Sequence, residues 1–185
     1  MTLTANIATL RANVTREEAV RSFADHGSAA WRLIHAVRPL RSVAELYVPF
    51  TLFQVTVRHR QTTDTRLLAA DRFSGALDPF MFDAPLDRAS LVTVASRNRL
   101  ECSLSVDQVK TSLATKLQRV MFQKGFFKVS GLEIKITPLI EEFYMPYWIG
   151  FFGSGTRASL KILDATRRVY EGNKFRSGVE EWLCR

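Results

Sequence analysis

The chain has 185 residues, of which 46% are hydrophobic and 24% are charged, a composition typical of a folded protein with an apolar core. This balance excludes a disordered tail, a collagen-like fibre and a low-complexity linker. Basic residues outnumber acidic ones by 26 to 18, which gives a net charge of +8, and every lysine lies after Val92. An anionic partner such as nucleic acid or a lipid surface therefore has to be considered.

Two features of the sequence bear on where the protein acts. Residues 1–21 lack the basic stretch and apolar segment of a secretory signal peptide, and the longest apolar run, 144–153, is far too short to cross a bilayer. Cys102 and Cys184 lie far apart and outside any metal or redox motif, so we interpret them as free thiols. These features predict a cytoplasmic protein without a transmembrane segment.

The first predicted elements are a helix and three strands. Thr15 and Glu18 have the spacing of a capping box, and apolar residues recur behind them every three to four positions, which predicts a helix over 15–36. The stretch 46–57 is rich in β-branched and aromatic residues and predicts a strand, in which Pro49 indicates an edge or a bulge. A polar turn is predicted at 58–65, and two further strands at 67–71 and 76–82.

The second half of the sequence predicts the same series of elements. Ser105 and Gln108 have the pattern of another capping box, and the apolar spacing behind them predicts a helix over 105–123. Strands are predicted at 132–136, 144–152 and 159–163, with a hairpin turn at Gly153-Ser154-Gly155. Each half is therefore expected to form a helix followed by antiparallel strands.

The repetition extends to the amino acids themselves. Glu45-Leu46-Tyr47-Val48-Pro49-Phe50 recurs as Glu142-Phe143-Tyr144-Met145-Pro146-Tyr147. The residues around the first helix start, Leu10, Val14, Thr15 and Glu18, recur as Leu100, Leu104, Ser105 and Gln108. Because a repeat in fixed order sets the whole fold, we predict an α+β protein of two pseudo-symmetric units, 1–90 and 91–185. Each unit is expected to pack one helix on an antiparallel sheet, and the two units to meet around Tyr47 and Tyr144 as one globular body.

Each half also resembles the PepSY-type repeat, a small helix-on-sheet module. The resemblance rests on the start of the helix and on a sheet end with the pattern apolar-Asp-x-x-Ser/Thr-Gly-apolar. In the first half these are Val14-Thr15-Arg16-Glu17-Glu18-Ala19-Val20 and Ala70-Asp71-Arg72-Phe73-Ser74-Gly75-Ala76-Leu77. In the second half they are 104–109 and 163–169, where Arg168 stands at the position of the turn glycine. The resemblance implies a helix-plus-hairpin module in each half.

No pattern of reactive residues indicates an enzyme. His26, His35 and His59 lack the spacing of a metal site, and the glycine-rich segment 150–155 lacks the Lys-Ser/Thr of a phosphate-binding loop. Asp71 and Asp164 occupy equivalent positions, which would suit paired acid–base catalysis. The simpler interpretation is that each begins a turn by accepting bonds from its own backbone. We predict no catalytic residue, no metal site and no cofactor.

The densest aromatic segment, 143–152, carries the functional prediction. As a strand it is apolar on both faces, so it is either sandwiched in the core or exposes a platform for a ligand, a base or a partner. Basic residues follow it directly and would add the charge that single-stranded nucleic acid requires. The candidate interaction surface comprises Trp148, Phe151, Phe152, Arg157, Lys161, Arg167 and Arg168.

These features favour a non-enzymatic binding module whose partner is another protein. Two alternatives stay open. One is binding of RNA or single-stranded DNA through the basic, aromatic second half, and the other is binding of a small apolar ligand between the sheet and the helices.

Overall fold

The computed structural model describes residues 4–25, 39–59, 61–82, 86, 88–123, 132–153 and 158–184. Within these residues the chain forms three α-helices and a sheet of seven β-strands, which confirms the predicted α+β class. The helices are α1 (Arg16–Asp25), α2 (Val106–Gln123) and α3 (Asn173–Leu183). The strands are β1 (Ala5–Thr9), β2 (Leu40–His59), β3 (Thr62–Asp71), β4 (Phe80–Phe82), β5 (Val92–Ser96), β6 (Leu132–Phe152) and β7 (Ser159–Asp164), and a 3₁₀ turn lies at Arg88–Ser90.

Two long antiparallel strands form the centre of the sheet. β2 and β6 pair from Leu40 opposite Phe152 to His59 opposite Leu132, with register shifts between Leu40 and Ser42 and between Phe50 and Phe53. β3 and then β4 extend the sheet beside β2, whereas β7 and the ribbon of β1 and β5 lie beside β6. Because β1 joins β6 in parallel, the sheet is mixed rather than purely antiparallel.

The central strands are buried on both faces. Phe143 and Tyr147 of β6 belong to one buried cluster, whereas Tyr144 and Trp148 lie in clusters on the other side, as expected for side chains that alternate along a strand. The interpretation of 143–152 as a sandwiched strand is therefore confirmed.

Pro49 and Pro146 lie in the central strands at positions where the hydrogen-bonded neighbour on the side away from the central pair changes from one segment to another. The carbonyl of Tyr47 accepts the N–H of Leu100, and the carbonyl of Pro49, two residues later, accepts the N–H of Arg72 at the end of β3. The proline ring, which has no N–H, thus lies between two successive neighbours of β2. Pro146 occupies the corresponding place on β6, between the partners of Tyr144 and Pro146, which are Leu10 and Ala165.

The predicted turn at 58–65 is wrong. β2 continues to His59 and β3 begins at Thr62, and these two residues pair with each other, so the predicted turn is far shorter than expected. The cause is the threonine content of this segment, since β-branched residues favour strands even when they are polar. Thr56 and Thr65 face each other across the hairpin, with hydroxyl oxygens 3.3 Å apart. The strand predicted at 76–82 is shorter than expected, because β4 comprises only Phe80–Phe82.

The strands predicted separately at 132–136 and 144–152 are one strand, β6. Pro138 does not interrupt it, because the outer edge of β6 at this point has no strand neighbour among the described residues. The return strand predicted at 159–163 is confirmed as β7. Of the predicted hairpin turn, Gly153 has a left-handed backbone with φ of 68°, and Ser154 and Gly155 lie outside the described residues.

Both predicted helix starts are confirmed. The Thr15 N–H donates to Glu18 Oε2 at 2.8 Å and the Glu18 N–H donates to Thr15 Oγ1 at 3.2 Å. Ser105 and Gln108 exchange the same two bonds, also at 2.8 and 3.2 Å, so both capping boxes close. α2 matches the predicted helix over 105–123, and α1 matches the first as far as Asp25, whereas residues 26–36 lie outside the described residues.

β1, β5 and α3 were not predicted. The apolar residues Phe175, Val179 and Trp182 have helical spacing, and this signal would have identified α3. α3 covers one face of the central sheet, where the Phe175 ring lies 5.8 Å from the ring of Tyr147. β1 and β5 are five-residue strands whose alternation is too short to distinguish from loop sequence.

The first two helices each pack on strands of both halves of the chain. α1 contributes Phe23 to a buried cluster with Trp148, Phe152 and Leu163. α2 contributes Val109 and Leu113 to a buried cluster with Phe53, Val55 and Leu68. The expectation of one helix on a sheet of its own half is therefore only partly correct, because one sheet runs through both halves and each helix contacts strands of both.

The helices of the described part of the chain do not reach the combination of length and apolarity that a membrane crossing requires.

Candidate functional site

The two aspartates at equivalent sequence positions both build turns. Asp71 accepts the N–H of Phe73 at 2.7 Å and the hydroxyl of Ser74 at 2.7 Å. Asp164 accepts the N–H groups of Thr166 at 2.7 Å and of Arg167 at 3.0 Å. Both carboxylates are buried, and their oxygens are occupied by the turns. The backbone role predicted for Asp71 and Asp164 is therefore confirmed.

Each turn contains a residue with left-handed backbone geometry. In the first turn this is Gly75, with φ of 61°, and in the second it is Arg168, with φ of 60°. Glycine adopts this geometry freely, whereas for arginine it costs roughly 1–2 kcal/mol. The Arg168 guanidinium donates to the Asn13 carbonyl at 3.0 Å and to Glu18 at 2.9 Å, which ties this turn to the start of α1.

A buried polar cluster continues from Asp164. Arg167 binds Asp164 through Nε at 2.5 Å and Glu171 through Nη2 at 3.2 Å, and its guanidinium lies 5.5 Å from the centre of the Phe80 ring. Tyr147 lies opposite Asp164 in the pairing of β6 with β7. Its hydroxyl is buried and has no hydrogen-bond partner among the described residues. Arg167 therefore points into the protein and balances two carboxylates there.

The burial of this cluster changes how its members ionise. Burial raises the pKa of Glu171 to about 7, the charges of Asp164, Asp78 and Asp71 add to this, and Arg167 opposes it. Burial also raises the pKa of the Tyr147 hydroxyl well above its ordinary value. Glu171 thus changes its charge near neutral pH, whereas Tyr147 stays neutral.

A second network surrounds Cys102. Its thiol donates to Glu142 Oε2 at 3.2 Å, and the other oxygen of Glu142 accepts the Tyr144 hydroxyl at 3.2 Å. Burial, together with the bond to Glu142 and the charge of that carboxylate, raises the pKa of the Cys102 thiol to about 12. Because the thiolate is the reactive form of cysteine, this environment suppresses nucleophilic chemistry at Cys102.

The aromatic part of the predicted interaction surface is mostly buried. Trp148 and Phe152 lie in the cluster beneath α1, and the indole N–H of Trp148 donates to the Val14 carbonyl at 2.9 Å. Phe151 is half-buried. An exposed aromatic platform at Trp148 and Phe152 is therefore ruled out, because α1 of the other half covers it.

The basic part of that surface is largely neutralised. Arg167 is held in the buried cluster, and Arg168 is ion-paired with Glu18. The Lys161 ammonium lies 5.3 Å from the centre of the Phe152 ring. Arg157 lies outside the described residues. The structure thus does not bring the seven predicted residues together as one open basic and aromatic face.

An open groove lies elsewhere, between α2 and the first part of β6. It has a volume of about 380 Å³ and is lined by Asp107, Lys110, Thr111, Ala114, Ile134 and Ile136. On the strand, Ile134 and Ile136 face α2, whereas Glu133 and Lys135, which alternate with them, are exposed. This groove was not predicted, although the alternation of apolar and charged residues at 133–136 is the signal of a half-buried strand.

Among the described residues, no group of histidine, cysteine, aspartate or glutamate side chains is arranged to hold a metal ion. Comparisons of the chain with protein-family models, with curated proteins and with solved structures find no match.

Proposed function

We propose that this protein is a non-catalytic interaction module that binds another protein. The observation that carries the proposal is the contrast between its reactive side chains and its groove. Asp71 and Asp164 are engaged in turns and Cys102 is hydrogen-bonded to Glu142, whereas the groove beside α2 is open and has an apolar floor. An open apolar cleft at the surface of a folded domain is a feature of sites that bind partners.

We further propose that the module consists of two copies of one unit, as the sequence repeat predicts. Matched hydrogen bonds support this. The N–H groups of Asn13 and Val14 donate to the Ala165 carbonyl, and those of Ser103 and Leu104 donate to the Arg72 carbonyl. In each case the residues just before a helix donate to the residue that directly follows the turn aspartate of the other half. Equivalent bonds at equivalent sequence positions are what a duplication would leave.

The resemblance of each half to PepSY-type repeats belongs to the same proposal. It is supported by the two Asp turns, in which Gly75 and Arg168 share one backbone conformation although only the first is glycine. The arginine thus replaces the expected glycine without a change of the turn, at the cost in strain described above.

Nucleic-acid binding is the weaker alternative, because several basic side chains of the second half already have acidic partners. Arg167 pairs with Asp164 and Glu171, and Arg176 lies 3.7 Å from Glu180. Filter binding at several salt concentrations tests this alternative, since retention of RNA that falls steeply with salt would support it over protein binding.

A small apolar ligand is the second candidate function. A cavity of about 230 Å³ lies between the ribbon of β1 and β5 and the central strands, and Leu10, Tyr47, Val94 and Pro146 are among its lining residues. Native mass spectrometry of gently purified protein tests this candidate, because a bound ligand would add a fixed mass that denaturation removes.

Selection of a random peptide library displayed on phage against the immobilised protein tests the leading proposal. We expect enrichment of related sequences that bind the folded protein and not a heat-denatured sample. Turnover in a panel of generic hydrolase and transferase substrates, lost in the Asp164→Asn variant, would contradict it.

A further inference from the structure

The first part of β6 presents a free strand edge. Residues 132–140 pair with β2 on one side, and among the described residues no strand pairs with their other side. β1 reaches β6 only at Tyr144, and β7 begins to pair only at Tyr147. Backbone N–H and C=O groups on such an edge can accept an additional strand.

The groove borders this edge and sets the spacing of an added strand. Ile134 and Ile136 form its floor on β6, and Ala114 forms part of the wall on α2. Since alternate residues of a strand point to the same face, every second side chain of an added strand would enter the groove. An extended peptide with small or branched apolar residues at alternate positions fits this arrangement.

The charges around the groove favour an acidic peptide. Lys110 on α2 and Lys135 on β6 are exposed and have no carboxylate partner among the described residues. Of the two acidic residues nearby, Glu133 is 3.9 Å from Arg58, and Asp107 lies in the first turn of α2, where the helix dipole compensates its charge. The two lysines thus leave a positive surplus beside the groove, in a chain of net charge +8.

We propose that this groove binds an extended, acidic peptide segment of another protein, which adds as a strand to the free edge of β6 beside α2. This inference rests on the proposed function and identifies the site and the chemistry of the partner. Charged residues and Pro138 on the same edge limit unspecific strand addition, so that recognition depends on the groove.

A short fluorescent peptide in which glutamate alternates with valine is the probe. Its binding is measured by fluorescence anisotropy and compared with that of a lysine–valine peptide and of a proline-containing acidic peptide that cannot form a strand. We expect saturable binding of the acidic peptide and weaker binding of both others. In hydrogen exchange, amides within 132–140 should become protected when the acidic peptide binds.

Two charge reversals on the same helix provide a matched comparison. Lys110→Glu should weaken the affinity for the acidic peptide by roughly tenfold. Arg119 is exposed on α2 and lies outside the groove lining, so Arg119→Glu should change this affinity by less than about twofold. Ala114→Phe, which fills the groove, should abolish binding of the acidic peptide while Arg119→Glu retains it.

Other outcomes overturn the inference. Protection at β5 or β7 instead of 132–140 would leave the protein a peptide binder with its site elsewhere, so the proposed function would stand. Stronger binding of the lysine peptide would contradict the acidic partner. A concentration-dependent dimer that protects 132–140 without peptide would show that a second copy of the chain occupies this edge. If no peptide binds and phage selection also enriches nothing, the proposed function fails with it.

Discussion

Among single residues, Glu171 gives the clearest dependence on pH. Its pKa in the folded protein is raised to about 7 by burial, so the folded state holds this proton at pH values where the unfolded chain has released it. Because the charged form of Glu171 is disfavoured in the folded protein, the free energy of unfolding is higher at acidic pH and falls as the pH rises towards 7 and above. Glu171→Gln, which resembles the neutral form, should stabilise the protein at pH 8 by an amount on the order of 2 kcal/mol.

The measurement is urea unfolding of wild type and variant at pH 5 and pH 8. The gain from Glu171→Gln should shrink at pH 5. Glu180→Gln, a half-exposed position on α3, is the control and should show little dependence on pH. An equal effect of Glu171→Gln at both pH values would show that Glu171 does not titrate in this range.

The two cysteines should differ in reactivity. Cys184 is exposed, whereas burial and Glu142 raise the pKa of Cys102 to about 12. At pH 8 we expect iodoacetamide to modify Cys102 at least about 100-fold more slowly than Cys184, with both equal in urea. Glu142→Gln should accelerate the modification of Cys102. Mass spectrometry of tryptic peptides follows the modification of both cysteines. Equal rates in the folded protein would contradict the buried network.

The left-handed turn residues give a third prediction. A Cβ on Gly75 would lie 3.1 Å from Leu104 Cδ1, and its φ of 61° disfavours a side chain. Gly75→Ala should therefore cost about 1–2 kcal/mol of unfolding free energy. Gly172→Ala is the control for added volume, because nothing lies within 4 Å of the added carbon and the φ of −76° suits any residue; since Gly172 is the N-cap of α3, this change should cost up to about 1 kcal/mol, less than Gly75→Ala. Thermal denaturation distinguishes the two.

At the scale of elements, the contact of α1 with β6 depends on Gly150. A Cβ at this position would lie 2.9 Å from the Phe23 ring, which is itself packed against Phe152 and Tyr170. Gly150→Ala should cost about 1–3 kcal/mol by overpacking. The double variant Phe23→Leu/Gly150→Ala should lose less than the sum of the single variants in urea unfolding. Additive losses would show that the two residues do not press on each other.

The elements that the sequence predicted are those with strong local signals. Both capping boxes and the helical period of α2 depend on neighbouring residues, and both appear as predicted. The turn at 58–65 failed because polar threonines can lie in strands when a partner strand is present, which is a tertiary effect. The groove beside α2 was not predicted either, because its existence depends on how far the helix lies from the edge of β6, and that distance is set by tertiary packing.

At the scale of the whole molecule, β2 and β6 should make unfolding a single event. Their register joins the two halves along both strands, and each of the first two helices packs on strands of both halves. We expect one unfolding transition, with tryptophan fluorescence and far-UV circular dichroism changing together in urea. Separate midpoints for the two signals would contradict a single transition.

The sequence predicted two related units but not how they are connected in space. The repeated Tyr-Pro segments do pair, with Tyr47 opposite Pro146 and Pro49 opposite Tyr144. The packing of α1 on β6 and of α2 on β2 and β3 could not be predicted, because amphipathic helices of similar composition can cover either apolar face. Predicting Trp148 and Phe152 as an exposed platform failed for this reason, since the covering helix comes from a distant part of the sequence.

The packing of α1 across both central strands has a consequence for a chain that is cut in two. A fragment that ends before β6 would keep Phe23 but lose Trp148, Phe152 and Leu163, against which that ring packs. The other fragment would expose the same three side chains to water. Fragments cut between the halves should accordingly reassociate, because each hides apolar surface that the other leaves bare.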